Sequence, residues 1–143
     1  MISRLNKNEV DEIMRIWLDA SMVAHDFIDK QYWIDKYEVV KNEYIPNSET
    51  FVYKEKNEIK GFISIINENF IGALFVDNKN QCEGIGSRLI DFVINKYNEL
   101  SLTVYKDNLN AVDFYKKHNF KIISEDLDED TNKVEFMMMR QLS

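Results

Sequence analysis

The sequence is poor in the residues that interrupt regular structure or crosslink a chain: its 143 residues include one proline, four glycines and one cysteine. The scarcity of proline and glycine leaves little room for linkers or low-complexity segments, and the length predicts one domain, residues 1–143. The single cysteine, Cys82, excludes an intrachain disulfide and a Cys-rich zinc site. No metal is therefore expected.

Long apolar runs are also missing. The run FISII at residues 62–66 is far too short to cross a bilayer, and the first ten residues carry no apolar signal region. The formal net charge of −7 argues against sequence-independent binding of nucleic acid. We therefore expect a cytoplasmic protein, a monomer or homodimer, that contacts neither a membrane nor nucleic acid.

Apolar periodicity predicts the secondary structure. The i, i+3, i+4, i+7 spacing that starts at Val10 predicts a helix over residues 7–23, and a second helical region at 25–45 ends before Pro46. The remaining predicted elements are, in chain order, strands near 50–55, 59–66 and 70–78, a helix after the glycines, a strand at 100–108, a short helix near 110–118, and two antiparallel strands around an acidic turn.

The resulting order, β-α-α-β-β-β-α-β-α-β-β, indicates an α+β domain with a mixed central sheet. The helix between the strands at 70–77 and 100–106 is a crossover, which predicts that these two strands are parallel neighbours. The acidic run at residues 125–130 is expected to form a solvated turn, with steering of a cationic acceptor as the alternative.

Two of the four glycines, Gly84 and Gly86, stand between a predicted strand and a predicted helix. The first N–H groups of a helix have no internal acceptor and carry partial positive charge, so such a turn suits an anion. A P-loop would need a lysine after the second glycine, and a dinucleotide motif would need a third glycine at Leu89. A tight turn with a close helix–strand contact is the alternative interpretation.

The wider pattern is more specific than the two glycines. Gln81-x-x-Gly84-x-Gly86, continuing through residues 87–90, resembles the acetyl-CoA pyrophosphate loop of the GNAT superfamily of N-acetyltransferases. The segment NLNAVDFYKKHNF, residues 108–120, resembles the second hallmark segment of that family, with Asn119 in place of the usual glycine. The chain is thus similar to single-domain bacterial members of the superfamily.

This resemblance implies a GNAT-like mixed sheet of about seven strands flanked by four helices, and acetyl-CoA as the cosubstrate. Backbone amides of the glycine turn would hold the CoA pyrophosphate. By the same resemblance, the strands at 73–77 and 100–106 would splay apart, and the strand at 73–77 would present main-chain groups to the pantetheine arm. The residues implied in cofactor binding are Leu74, Phe75, Val76, Gln81, Cys82, Glu83, Gly84, Ile85, Gly86, Ser87, Arg88, Asn108, Ala111 and Tyr115.

Two residues are candidates for proton transfer. By the resemblance, Tyr115 would protonate the departing CoA thiolate. The alternative is that Tyr115 is a core aromatic beside Phe114. Asn108 is expected to cap the helix that carries Tyr115, and by resemblance also to contact the cofactor. His25 has a suitable intrinsic pKa for the base that deprotonates the acceptor amine, although a lone histidine is more often structural.

Other side chains are weaker candidates. Glu68 and Asp77 flank the central strand and are possible bases, while Tyr32, Trp33 and Tyr37 either line an acceptor pocket or belong to the core.

The sequence therefore predicts an enzyme that moves an acetyl group from acetyl-CoA to a primary amine of a small molecule or peptide, by direct attack in a ternary complex. A non-catalytic CoA-binding or regulatory module, or an interaction domain that keeps only the fold, are the alternatives.

Overall fold

The computed structural model describes residues 1–141, which form a seven-stranded mixed sheet in the order β1-β2-β3-β4-β5-β7-β6 with four α-helices. The strands are β1 Ile2–Arg4, β2 Glu49–Glu55, β3 Glu58–Ile66, β4 Phe70–Val76, β5 Glu99–Tyr105, β6 Lys121–Asp128 and β7 Lys133–Gln141. The helices are α1 Val10–Ala24, α2 Lys30–Val39, α3 Ile85–Ile94 and α4 Leu109–Lys117. The predicted fold class and element order are confirmed.

Two predicted segments differ in detail. The second helical region begins at Lys30 rather than 25, because the Asp29 carboxylate accepts a 2.9 Å hydrogen bond from the Gln31 N–H and caps the helix there. A π-helical stretch, Val40–Tyr44, then extends it toward Pro46. Within residues 1–141, no helix has the length and hydrophobicity of a membrane span.

The prediction that the whole acidic run forms a turn is wrong. Residues 125–128 belong to β6, and the turn itself comprises residues 129–132. Antiparallel pairing with β7 holds this part of the run extended. Asp128 also accepts a 2.7 Å hydrogen bond from the Tyr105 hydroxyl, and Glu125 lies 3.6 Å from the Lys106 ammonium.

The central strands are buried on both faces of the sheet. On one face Phe62 shares a core cluster with Trp17 of α1, and on the other Ile63 shares a core cluster with Leu89 of α3. Phe62 and Ile63 are adjacent on β3, so their opposite burial follows from the two-residue period of a strand. Each such side chain, fully buried, contributes about 1.5–3 kcal/mol.

Strands β4 and β5 are parallel, as the crossover predicts, but they diverge. Their ladder joins Phe70 with Ser101 near the start of both strands, where the Ser101 N–H donates to the Asn69 carbonyl at 3.0 Å. Further along, β4 stays paired with β3 as far as Val76, while β5 pairs with β7 as far as Tyr105. This divergence opens the sheet between β4 and β5.

Candidate active site

The gap between β4 and β5 is a crevice of about 250 Å³. Its walls come from both faces of the sheet, with Trp17 and Trp33 on the α1/α2 side and Leu102 and Tyr115 on the α3/α4 side. The crevice therefore joins the two faces. Six of the predicted site residues line it: His25, Leu74, Phe75, Asn108, Ala111 and Tyr115.

The glycine turn lies just beyond the end of β4. The first hydrogen bond of α3 runs from the Arg88 N–H to the Gly84 carbonyl at 3.1 Å, so the N–H groups of residues 85–87 have no acceptor within the helix. Residues 81–84 are exposed, and a Cβ placed on Gly84 would meet no heavy atom within 4 Å. The turn thus offers free amides, the positive end of a helix and open space, which together suit a phosphate.

The two glycines have different roles. Gly84 has φ +81°, a left-handed conformation that a side chain disfavours. Gly86 has ordinary helical geometry, and a Cβ there would lie 3.5 Å from the Phe114 ring and 3.8 Å from Val76. These are ordinary van der Waals distances, so the packing of α3 against α4 and β4 would accommodate a methyl group at Gly86.

Neighbouring residues shape the turn. Gln81 Nε2 donates a 2.8 Å hydrogen bond to the Val76 carbonyl, which fixes the turn against the end of β4. Cys82 is exposed and has a positive φ of 65°. Cys82 and Gly84 therefore have left-handed backbone conformations, whereas Glu83 between them does not. Glu83 is exposed.

Two side chains at the start of α3 point to different partners. The Arg88 guanidinium donates to the Tyr53 hydroxyl at 2.6 Å, which turns its charge toward β2. Ser87 Oγ lies 3.3 Å from Nε2 of His118, a residue at the end of α4 that sequence reasoning did not single out. Ile85 is buried in the core beneath the turn.

Asn108 caps α4, as predicted. Its side-chain oxygen accepts a 3.3 Å hydrogen bond from the Ala111 N–H, and both residues line the crevice.

Tyr115 is buried on α4 between Phe114 and Phe120, whose ring centroids lie 5.3 and 5.6 Å from its own. It is therefore a core aromatic that also lines the crevice. Burial raises the pKa of its phenol well above the usual value, so the hydroxyl keeps its proton at neutral pH. A protonated phenol is the form that a general acid needs.

His25 ends α1 and is buried, with its ring stacked on Trp33 at 4.8 Å and edge-on to Tyr105 at 5.4 Å. Burial lowers its pKa from 6.5 to about 4. Its Nε2 lies 3.3 Å from the Asn108 side-chain nitrogen. His25 is thus neutral at pH 7 and occupied on one nitrogen, which makes it a weak base.

The weaker candidate bases lie elsewhere. Glu68 is exposed in the turn between β3 and β4. Asp77 is buried and bound by Arg15, whose Nη2 donates a 2.6 Å hydrogen bond to its carboxylate. Of the three aromatics on α2, Trp33 lines the crevice, whereas Tyr37 packs edge-on against Trp17 at 6.5 Å.

Sequence reasoning missed Glu135. This residue lies on β7 and lines the crevice, where burial raises its pKa. Local sequence around it reads as an ordinary alternating strand. Only the pairing of Tyr105 with Glu135 between β5 and β7 brings it to the crevice.

The chain is similar to known proteins along most of its length. Residues 14–142 match the family model described as acetyltransferase (GNAT) domain. The chain is 33% identical over 123 residues to peptidyl-lysine N-acetyltransferase YiaC of Escherichia coli K12, covering 86% of this chain and 84% of that protein. It is 28% identical over 133 residues to peptidyl-lysine N-acetyltransferase YjaB of the same strain, covering 92% and 89%. The solution structure of apo-form YjaB from Escherichia coli aligns with a TM-score of 0.84 at 25% identity, covering 97% of this chain and 95% of that one.

Proposed function

This chain belongs to the GNAT family of acetyltransferases and is an N-acetyltransferase, and from that premise we propose that it transfers acetyl from acetyl-CoA to the side-chain amine of a lysine in a peptide. The observation that carries this proposal is the crevice between β4 and β5, which brings Tyr115 and the α1/α2 face together in one site, with the glycine turn just beyond the end of β4. The similarity to two peptidyl-lysine N-acetyltransferases supports a lysine acceptor.

The cofactor end of the site is the glycine turn and the free edge of β4. The amides of residues 85–87 and the open space at Gly84 suit the pyrophosphate of CoA, and Leu74 and Phe75 lie where the pantetheine arm enters the sheet. An extended amide-bearing arm pairs with an open strand edge as an added strand does. The acetyl group is thereby delivered toward Tyr115.

The chemistry follows from the crevice residues. The acceptor nitrogen enters from the α1/α2 face and attacks the thioester carbon directly. Tyr115, held protonated by burial, gives its hydroxyl proton to the departing thiolate. Cys82 is exposed on the phosphate turn, outside the crevice lining, so this route uses no covalent acetyl-enzyme.

The test is acetyl transfer to a short peptide that has one lysine and a blocked N-terminus. Incubation with acetyl-CoA should release free thiol and add one acetyl group to the peptide, as read by mass spectrometry. The matched control peptide has arginine in place of lysine and should not react. Acetylation of small amines without any reaction of lysine peptides would contradict the proposed acceptor.

A further inference from the structure

The crevice contains few groups able to take a proton. Its ionisable lining residues are His25, Tyr105, Tyr115 and Glu135. The Tyr105 hydroxyl already donates to Asp128 at 2.7 Å, and burial raises the pKa of Tyr105 far above neutrality. His25 is a weak base with Nε2 beside Asn108. Glu135 is the one carboxylate among the residues that line this crevice.

Glu135 also lies on the face where an acceptor enters. On β5, Leu102 and Val104 share the hydrophobic cluster of Tyr115, while Tyr105 belongs to the cluster of α1 and α2. Glu135 pairs in register with Tyr105, so its side chain is on the α1/α2 face of the sheet. The carboxylate and the Tyr115 phenol therefore approach the crevice from opposite faces.

The surroundings of Glu135 favour a cationic guest. Asp126 stands directly opposite on β6, and Asp128 lies on the same face two residues further along that strand. Burial, followed by the charges of Asp128 and Asp126, raises the pKa of Glu135, while a hydrogen bond from Thr103 lowers it. Lys133 shares this face of β7 and pairs in register with Asp128.

On the neighbouring elements, the ammonium of Lys36 on α2 lies 3.9 Å from the Asp130 carboxylate and 5.5 Å from the centre of the Tyr32 ring, so its charge is paired with Asp130. The pKa of Tyr32 on α2 is raised by burial and by the negative charges of Asp128, Asp130 and Glu135. His25, at the end of α1, is neutral at pH 7 because burial lowers its pKa to about 4.

We propose that Glu135 binds the ammonium group of the acceptor lysine and takes the proton that this group must lose before its nitrogen attacks. This inference rests on the proposed function. It gives the crevice a proton acceptor on the acceptor face and a proton donor, Tyr115, on the cofactor face.

The protons balance as follows. Glu135 takes one proton from the ammonium group and leaves a neutral amine, whose nitrogen forms a bond to the thioester carbon. The carbon–sulfur bond then breaks, and the Tyr115 hydroxyl proton passes to the thiolate. The extra proton on the new amide nitrogen restores the Tyr115 hydroxyl, and Glu135 returns its proton to solvent. One proton is released for each acetyl group transferred.

The experiment is the pH profile of kcat/KM for a lysine peptide in wild type and Glu135→Gln. Lysine is an ammonium ion below about pH 10.4, so an enzyme that removes its proton works on the abundant form, and wild-type kcat/KM should be flat from about pH 7 to about pH 9. The Glu135→Gln enzyme depends on the scarce free amine. Its kcat/KM should be at least about tenfold lower at pH 7 and should rise about tenfold per pH unit.

Two controls separate this role from a structural one. Glu129→Gln makes the same change in the exposed turn between β6 and β7 and should keep the wild-type profile. Glu135→Asp keeps the carboxylate and should keep a flat profile at a lower rate. All variants should show the wild-type thermal shift with acetyl-CoA, because Glu135 is assigned to the acceptor.

The outcomes separate the role of Glu135 from the proposed lysine acceptor. A wild-type enzyme that acetylates lysine peptides, together with an equally active Glu135→Gln enzyme of the same flat profile, overturns the role of Glu135 alone. A wild-type profile that itself climbs tenfold per pH unit overturns that role without any variant. A wild-type enzyme that does not acetylate lysine peptides overturns both this inference and the proposed acceptor.

Discussion

The side-chain nitrogen of Asn108 lies 3.3 Å from Nε2 of His25, although 83 residues separate them. The oxygen of the same amide accepts the Ala111 N–H, so one side chain ties the end of α1 to the start of α4 across the crevice. A donor from Asn108 requires a lone pair on Nε2, because a protonated imidazole has two donors and no acceptor. The contact therefore depends on a neutral His25.

Protonation of His25 should destabilise the fold in acid. Because burial lowers its pKa from 6.5 to about 4, the folded state binds fewer protons than the unfolded state between these values. Stability is full above about pH 6.5 and falls as the pH drops toward about 4, by up to about 3 kcal/mol. Urea unfolding at several pH values measures this slope.

A variant without the buried imidazole tests the assignment. His25→Gln should flatten the slope between about pH 4 and about pH 6.5, because it removes the group whose pKa burial lowers. Equal slopes in wild type and His25→Gln would show that His25 is not the group responsible.

The glycine turn predicts unequal effects of two alanine substitutions. Gly84→Ala should cost about 1–2 kcal/mol, because φ +81° is unfavourable for a residue with a Cβ. Gly86→Ala should keep stability or raise it by up to about 1 kcal/mol, because its Cβ would make an ordinary 3.5 Å contact with Phe114 inside a helix. Chemical unfolding of the unliganded proteins compares them, and a larger loss at Gly86 would refute this assignment.

Asp77 is expected to stabilise the loop before the glycine turn. Burial alone would raise the pKa of Asp77, but hydrogen bonds from Arg15 and the Lys79 N–H lower it below its usual value. Its contribution is therefore present above the unfolded pKa of about 3.9 and is lost as the pH falls through the lower folded value. Asp77→Asn should cost about 1–2 kcal/mol at neutral pH and little in strong acid.

Asp19→Asn is the matched control, since Asp19 also accepts from Arg15, at 3.2 Å, but is half-exposed. It should cost at most about 0.5 kcal/mol. Equal losses for the two variants, by thermal or urea unfolding at neutral pH, would place Asp77 among ordinary surface ion pairs.

Local sequence was sufficient for the elements of this fold. The apolar spacing from Val10 to Trp17 located α1, and the asparagine at 108 located the start of α4, because periodicity and capping are both short-range signals. The bounds of α2 were less accurate. The cap at Asp29 lies inside a stretch with suitable helical composition.

The crevice could not be predicted from such short-range signals, and only the family resemblance implied that the two strands splay apart. The divergence of β4 from β5 is a property of backbone pairing, which leaves no pattern in the side chains. Glu135 reaches the site through strand register, and His25 loses basicity through burial under Trp33 and Tyr105. These effects depend on contacts between residues distant in sequence, so motif reasoning singled out Tyr115 and the glycine turn but not Glu135.

We expect Tyr115 to protonate the thiolate that leaves during acetyl transfer. Tyr115→Phe keeps the ring packed between Phe114 and Phe120 and removes only the hydroxyl, so the fold should survive. Phe114→Tyr, on the same helix, adds a hydroxyl and keeps the Tyr115 phenol. Acetyl transfer by this variant should still depend on Tyr115. Binding of acetyl-CoA, read as a thermal shift, should be close to wild type in Tyr115→Phe.

The decisive measurement is the single-turnover rate of acetyl transfer to a lysine peptide by wild type and Tyr115→Phe, at saturating acetyl-CoA. A general acid typically increases the rate about 10²–10⁴-fold, so the rate should be at least about tenfold lower in Tyr115→Phe than in wild type. The deficit should shrink with an acetyl thioester of a more acidic thiol, because a stable thiolate needs less protonation. A Tyr115→Phe enzyme that transfers acetyl at the wild-type rate would show that Tyr115 is a core aromatic and not the general acid.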